Sequence, residues 1–255
     1  MKRKILYVLF LIFCVSVYSY AKKLNIVATT TNIASIVKEI AQDKAEVLEI
    51  VPSDMCPGHF DLSPKDAQKI LNSDIFFYHG WEQWIKNLMK ETKSYKIPIE
   101  GNFMIPQINL AVAEKILEIL SEIDPQNKEV YKNNYDKYSE KIKKIEQRIK
   151  KDFQKYKDIK VICSEHQKEF LEWLGFSVVY SYPRQEQISL KDIANVLNIK
   201  ENINLVVDNL QSGPNIGRQL AKELNAKHIV LTNFVEGSYI ETLLKNISKI
   251  KKALK

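Results

Sequence analysis

Two short segments of this chain pair a thiol with an imidazole at the same spacing. In SDMCPGHFDLSP, Cys56 and His59 stand three residues apart, and in VICSEHQKEF, Cys163 and His166 repeat the interval. They account for two of the four histidines and for both cysteines outside the N-terminal apolar run. Two sulfurs and two imidazole nitrogens form the ligand set of a tetrahedral Zn²⁺ site, tolerable also to Cu⁺ and poor for Mn²⁺, which prefers oxygen. His79, Asn102, Asp208 and Asn233 are weaker candidate donors. Two competing readings of the thiols are a Cys56–Cys163 disulfide, favoured by an oxidising compartment, and a nucleophilic cysteine beside a histidine. Against the second stands the lack of any Cys-x-x-Cys pair or obvious third orienting group.

The oxidising compartment is inferred from the first residues. Lys2, Arg3 and Lys4 precede an apolar run from Ile5 to Val17, and Ser19-Tyr20-Ala21 follows, the order of a secretory signal peptide cleaved after Ala21. The run is short of the ~20 apolar residues that span a bilayer. Cys14 follows the bulky Phe13, where a lipoprotein signal usually has a small residue, so the expectation is a cleaved, extracytoplasmic protein without a lipid anchor. The formal net charge of +7 includes those three N-terminal cations. The rest is spread along the chain, which excludes a nucleic-acid footprint and speaks only to solubility.

What must position the two Cys-x-x-His loops is an α/β scaffold. Strand-like runs LNIVATT, VLEIVP and DIFFYHG are each followed by helix-like segments, over 32–42, 64–71 and 81–89. The order returns with IKVICS, FSVVYSYP, NLVVDN and AKHIVLTNF before segments 167–174, 190–197, 215–224 and 240–252. Such alternation predicts largely parallel sheets. LSPKDAQKIL before DIFFYHG echoes ISLKDIANVL before NLVVDN, with Ser63 and Ser189 as N-caps and Asp66 and Asp192 in the first turns, so the halves read as related lobes. Between them, residues 124–158 hold no glycine and one proline, Pro125, after the capping candidate Asp124. Tyr131, Tyr135, Tyr138, Ile142, Ile145, Ile149, Phe153 and Tyr156 step by three or four along one stripe of a helix ~50 Å long. A coiled-coil dimer seam is the alternative use of that stripe, and tyrosines suit packing on a sheet better. The expected organisation is a signal peptide over 1–21, an α/β lobe over 22–123, a linking helix over 124–158 and a second α/β lobe over 159–255. Ligands of such sheets sit beyond the carboxyl ends of the strands, where the loops carrying the candidate donors converge on one cleft with Arg184, Asn209 and Gln211.

LNIVATTTNIASIVKEIAQDKAEVLEIVP, PGHFDLSPKDAQKILNSDIFFYHG and LSEIDPQNKEVYKNNYDKY resemble the zinc/manganese solute-binding proteins of ABC importers, the TroA-like metal receptors with a helical backbone. The resemblance covers essentially the whole chain after residue 21. It implies two α/β lobes joined by one long helix, a monomer that holds a metal ion between the lobes and delivers it to a membrane permease, and no enzymatic activity. His59 matches the family's first-lobe histidine and His166 its second-lobe His or Glu. The other first-lobe histidine falls on Asn102, and the closing aspartate on Thr232 or Asn233, so two of the expected ligands are replaced. Cys56 and Cys163 stand as the compensating donors. The same replacements leave open a pocket that takes a small anion or a metal chelate through Arg184.

Overall fold

The computed structural model describes residues 23–86 and 88–255; the expected signal peptide and Cys14 lie outside them. The first sheet is built from β1 (Leu24–Thr30), β2 (Ala45–Val51), β3 (Ile75–Tyr78) and β4 (Ser94–Lys96), all parallel, in the order β2-β1-β3-β4. The second sheet uses β5 (Lys160–Ser164), β6 (Ser177–Tyr182), β7 (Leu205–Asn209) and β8 (Lys227–Leu231), again parallel, in the order β6-β5-β7-β8. The two orders are the same when each sheet is counted from its own first strand. Central strands β1 and β7 read as continuous runs because helices cover both faces of a parallel sheet; all five residues of β7 are buried.

The helices are α1 (Thr31–Ala41), α2 (Pro64–Leu71), α3 (Pro106–Ile123), α4 (Lys128–Phe153), α5 (Glu165–Trp173), α6 (Leu190–Leu197), α7 (Asn215–Glu223) and α8 (Tyr239–Ala253). The echoed segments are α2 and α6, at equivalent places in the two lobes. The Ser63 and Ser189 hydroxyls accept the Asp66 and Asp192 amides as N-caps, and at α6 the Asp192 carboxylate closes the capping box.

Three expectations change. The α-helical part of the rod is 26 residues, ~39 Å, flanked by 3₁₀ turns at Pro125–Asn127 and Gln154–Tyr156. Asp124 does not cap a backbone amide there; its Oδ2 accepts the Tyr131 hydroxyl at 2.5 Å and Asn127 Nδ2 at 2.8 Å. The segment after His79 forms two 3₁₀ turns, Gln83–Ile85 and Leu88–Lys90, rather than a helix. Glu82 accounts for the start of this departure, because its carboxylate takes the amides of His79 (3.0 Å) and Gly80 (2.7 Å) into a local turn that competes with helix formation. Finally, the 18-residue α3 was not picked out by the alternation of strands and helices; it packs beside α1 and α4.

The stripe on α4 faces inward as expected, with Tyr131, Tyr138, Ile142, Ile149 and Phe153 buried and Tyr135, Ile145 and Tyr156 packed at the margin. One continuous core runs from Ile33, Ile36 and Ile40 of α1 through this stripe to Phe170, Phe176 and Leu243 of the second lobe. The rod is therefore a shared wall of both lobes, and it fixes the strand ends that face each other.

Candidate metal centre

A cavity of about 280 Å³ lies between the lobes. From the first lobe it is lined by Cys56, Pro57 and Gly58 of the loop after β2, by His79 and Trp81 after β3, and by Asn102 and Phe103 before α3. Asn32, at the start of α1, also reaches it. The second lobe supplies His166, Arg184, Asn209, Gln211, Asn233 and Phe234. The loop holding Cys56 is pinned by Trp84, whose Nε1 donates to the Pro57 carbonyl at 3.3 Å and whose ring lies 5.6 Å from Phe60.

The central feature is a guanidinium shared between lobes. Arg184 Nη1 donates to Cys56 Sγ at 2.9 Å, and Nη2 donates to His166 Nε2 at 3.2 Å. An arginine has no lone pair to offer, so His166 accepts through Nε2 and carries its proton on Nδ1. Burial first, and then the charge of Arg184, hold the His166 imidazole below the ordinary histidine range. Around this pair the amides close the cleft. The His166 carbonyl accepts Asn102 Nδ2 (2.7 Å) and Asn233 Nδ2 (2.8 Å). Asn233 Oδ1 accepts Asn102 Nδ2 (3.2 Å) and Gln167 Nε2 (2.7 Å). Asn32 bonds the Asn233 carbonyl and the Val235 amide, and Gln211 reaches the Ser53 carbonyl at 2.6 Å. Gly101, at φ +94°, brings the chain so close to α5 that an added Cβ would stand 2.7 Å from Glu169 Oε2, the atom that accepts the Asn102 amide.

The candidate donors thus separate. Cys56, His166, His79, Asn102 and Asn233 line the cavity, while His59, Cys163 and Asp208 do not. His59, exposed, ends the 3₁₀ turn Pro57–His59. Cys163 is fully buried in the main core, where desolvation pushes its thiol up to about 12, unsuited to ligation or nucleophilic attack. The expected four-donor set of Cys56, His59, Cys163 and His166 is accordingly not assembled: one residue of each pair faces the cleft and the other faces away. Both cysteines are free thiols, not a disulfide. Among the described residues no three His, Cys, Asp or Glu side chains cluster closely enough to hold a metal ion by themselves. Asp208, expected at the cleft, is buried between the Tyr182 hydroxyl (2.5 Å) and His228 Nε2 (2.7 Å).

His79 lines the cavity with both nitrogens committed. Nδ1 meets the Ile97 carbonyl at 3.1 Å and must donate, so Nε2 accepts the Thr30 hydroxyl at 2.7 Å, and the ring stacks on Trp81 at 4.9 Å. Desolvation lowers its pKa although the Glu82 charge works in the opposite sense. Below the unfolded histidine pKa of ~6.5 the unfolded chain takes up a proton that the folded one refuses, so stability falls as pH drops through that value. Thermal unfolding between pH 8 and 5 should show this decline, and His79→Asn, which keeps a donor for Ile97, should flatten it. An unchanged slope in the variant would remove His79 from this role.

Sequence reading did not single out Asn32 or the apolar wall of Pro57, Trp81, Ile99, Phe103 and Phe234. Position after a strand was the available signal for Asn32 and Trp81.

Comparison with known proteins agrees with this architecture. The family model described as zinc-uptake complex component A, periplasmic (ZnuA), matches residues 26–104 and 102–253. The chain is similar to the metal ABC transporter substrate-binding lipoprotein ScbA of Streptococcus cristatus, at 33% identity over 44% of this chain and 46% of that protein. It is also similar to the manganese ABC transporter substrate-binding lipoprotein scaA of Streptococcus gordonii, at 32% identity over 45% and 46%. The matches span about half the length of these relatives. The fold matches that of a manganese-bound periplasmic metal-binding protein of Candidatus Liberibacter asiaticus, with a TM-score of 0.79, 22% identity, and coverage of 92% of this chain and 100% of that one. The relatives are named lipoproteins, which overturns the expectation of a cleaved product without a lipid anchor and leaves the extracytoplasmic placement standing. With its two parallel sheets, its shared helical wall and this family match over nearly all of the described residues, the chain belongs to the ZnuA family.

Proposed function

We propose that this chain is the extracytoplasmic receptor of an ABC importer, capturing one transition metal ion between its lobes and passing it to a membrane permease. The observation that carries the reading is the convergence of Cys56 Sγ and His166 Nε2, from opposite lobes, on one cation, the Arg184 guanidinium. Two lone pairs already hold a positive charge where cargo bridging the lobes would stand. Sulfur and imidazole nitrogen together favour a soft or borderline ion, and zinc above manganese. Manganese, named for the Streptococcus gordonii relative, belongs in the comparison for that reason.

The test is equilibrium dialysis of the reduced protein against Zn²⁺, Mn²⁺, Co²⁺ and Cu⁺ with elemental analysis. One equivalent of zinc should be retained, with a rise in thermal stability by mass action and little retention of manganese. Retention of manganese over zinc would reject the sulfur donor, and retention of no metal would reject the reading. A second reading, an anion receptor on the same fold, is favoured by the cationic Arg184 at the centre of the cavity and predicts retention of an anion without any metal.

A further inference from the structure

Resting on that reading, we infer that the cleft takes its metal together with a small organic carboxylate that chelates it, so that the cargo is a metal–chelator complex and Arg184 is the residue that recognises the chelator. Three features of the cavity point this way. The first is charge. Arg184 is the one side chain with a fixed charge among those lining the cavity, and none of them is a carboxylate. Glu165 and Glu169 line an adjoining hollow instead, and Glu169 spends one oxygen on the Asn102 amide. Even with the Cys56 thiol ionised by the metal, a divalent ion beside Arg184 leaves the cavity with net positive charge, which is unfavourable unless paired.

The second feature is valence. Cys56 and His166 offer a sulfur and a nitrogen, while His79, Asn102 and Asn233 have their polar atoms engaged with protein partners. Asn209 Oδ1 is the one further unengaged side-chain oxygen among these lining residues, a neutral amide. A tetrahedral zinc ion needs four ligands. A chelator completes the set, and a free carboxylate oxygen pair then meets the planar guanidinium in the forked geometry that arginine favours. The third is room. A bare ion closed in by protein ligands needs almost no cavity, yet this one has about 280 Å³, near the low end of small-molecule sites at ~300 Å³. One side of it is apolar, formed by Pro57, Trp81, Ile99, Phe103 and Phe234, and Trp81 is 44% exposed. Carbon atoms of an organic ligand can use that wall; a hydrated ion cannot. On loading, the guanidinium leaves the sulfur and the imidazole to the metal and turns to the carboxylate.

The experiment is equilibrium dialysis with radiolabelled zinc at a buffered free concentration, alone and with radiolabelled citrate or L-histidine, on the wild type, Arg184→Gln and Arg184→Lys. Citrate presents only oxygen donors and histidine also nitrogen, so the two arms separate the chelator types. In the wild type at least one chelator should be retained in equimolar amount with zinc and should raise zinc affinity at fixed free zinc by at least about tenfold. Arg184→Gln should lose the enhancement, read within that variant as the ratio of zinc affinity with chelator to that without it, and a full enhancement in Arg184→Gln would overturn the part given to Arg184. Arg184→Lys, a charge without the fork, should keep part of it. Zinc bound equally with and without chelator, with no label co-retained, would overturn this inference and leave the metal receptor standing. Failure to retain zinc under every condition would overturn both. Melting curves of each variant establish that a loss is not unfolding.

Discussion

The double variant Cys56→Ser/His166→Ala should lose zinc affinity by well over about 100-fold, the largest functional effect expected of any pair in this protein. Removing even a group that merely orients a ligand costs ~10–100-fold, and these two side chains are the proposed donors, which converge from opposite lobes on the Arg184 guanidinium. The matched control is His59→Ala with Cys163→Ala, which removes the other member of each Cys-x-x-His pair. His59 is exposed on its turn and Cys163 is sealed in the core, so this pair should leave affinity unchanged, although Cys163→Ala lowers stability somewhat by leaving a small void. Competitive titration with a zinc chelator dye reads both. If the control loses affinity while Cys56→Ser/His166→Ala retains it, the assignment of donors is reversed.

The largest structural effect is expected at Phe153. It closes α4, is 1% exposed, and meets Tyr156 and Phe176 edge-on at 5.5 and 5.8 Å with Lys251 over its face. The ring thus ties the linking helix to the second lobe, just as Tyr138 ties it to the first through Asn109. Phe153→Ala should cost about 3–5 kcal/mol, the range for truncating a fully buried phenylalanine, seen as a fall in the urea midpoint at unchanged m value. Because the rod fixes how the two lobes face each other, zinc affinity should fall as well. A cost below about 1 kcal/mol would mean that the second lobe does not depend on this contact.

Much of the fold was legible because its signals are local. Parallel strands buried on both faces leave unbroken apolar runs, α2 and α6 open on the serine caps Ser63 and Ser189, and the stripe on the linking helix repeats at helical spacing. The echo between 62–71 and 188–197 marked helices at equivalent places in two sheets of the same strand order. Where tertiary or side-chain effects decide, the reading failed. Glu82 folds back on two amides and prevents the helix after His79. The helix α3 follows only the three-residue strand β4, too short to leave an apolar run, and so falls outside the pattern. The site was legible only by half. Spacing placed Cys56 with His59 and Cys163 with His166, but a strand sends successive side chains to opposite faces. Cys163 therefore faces the core from β5, while His166 reaches the cleft from the first turn of α5. Asp208 was placed correctly at a strand end, yet Tyr182 and His228 draw it inward. Sequence places Arg184 in the cleft as a group that an anion or chelate could meet, without its partners. Its place between the two lobes follows from distances no single segment encodes.

By resemblance, Asn102 stands at a histidine position of the family and Thr232 or Asn233 at its aspartate position. The Asn102 and Asn233 amides bind each other and the His166 carbonyl, so they hold the lobes together and orient the histidine. The proposed donors are a thiol and an imidazole, with the Arg184 charge beside them. In the proposed loaded state the metal is held by one sulfur from the first lobe and one imidazole from the second. X-ray absorption at the zinc edge of the loaded protein should show one sulfur at ~2.3 Å and at least one imidazole nitrogen at ~2.0–2.1 Å, with the sulfur shell lost in Cys56→Ser and kept in Cys163→Ala. A shell of nitrogen and oxygen alone in the wild type would rule out Cys56 as a ligand.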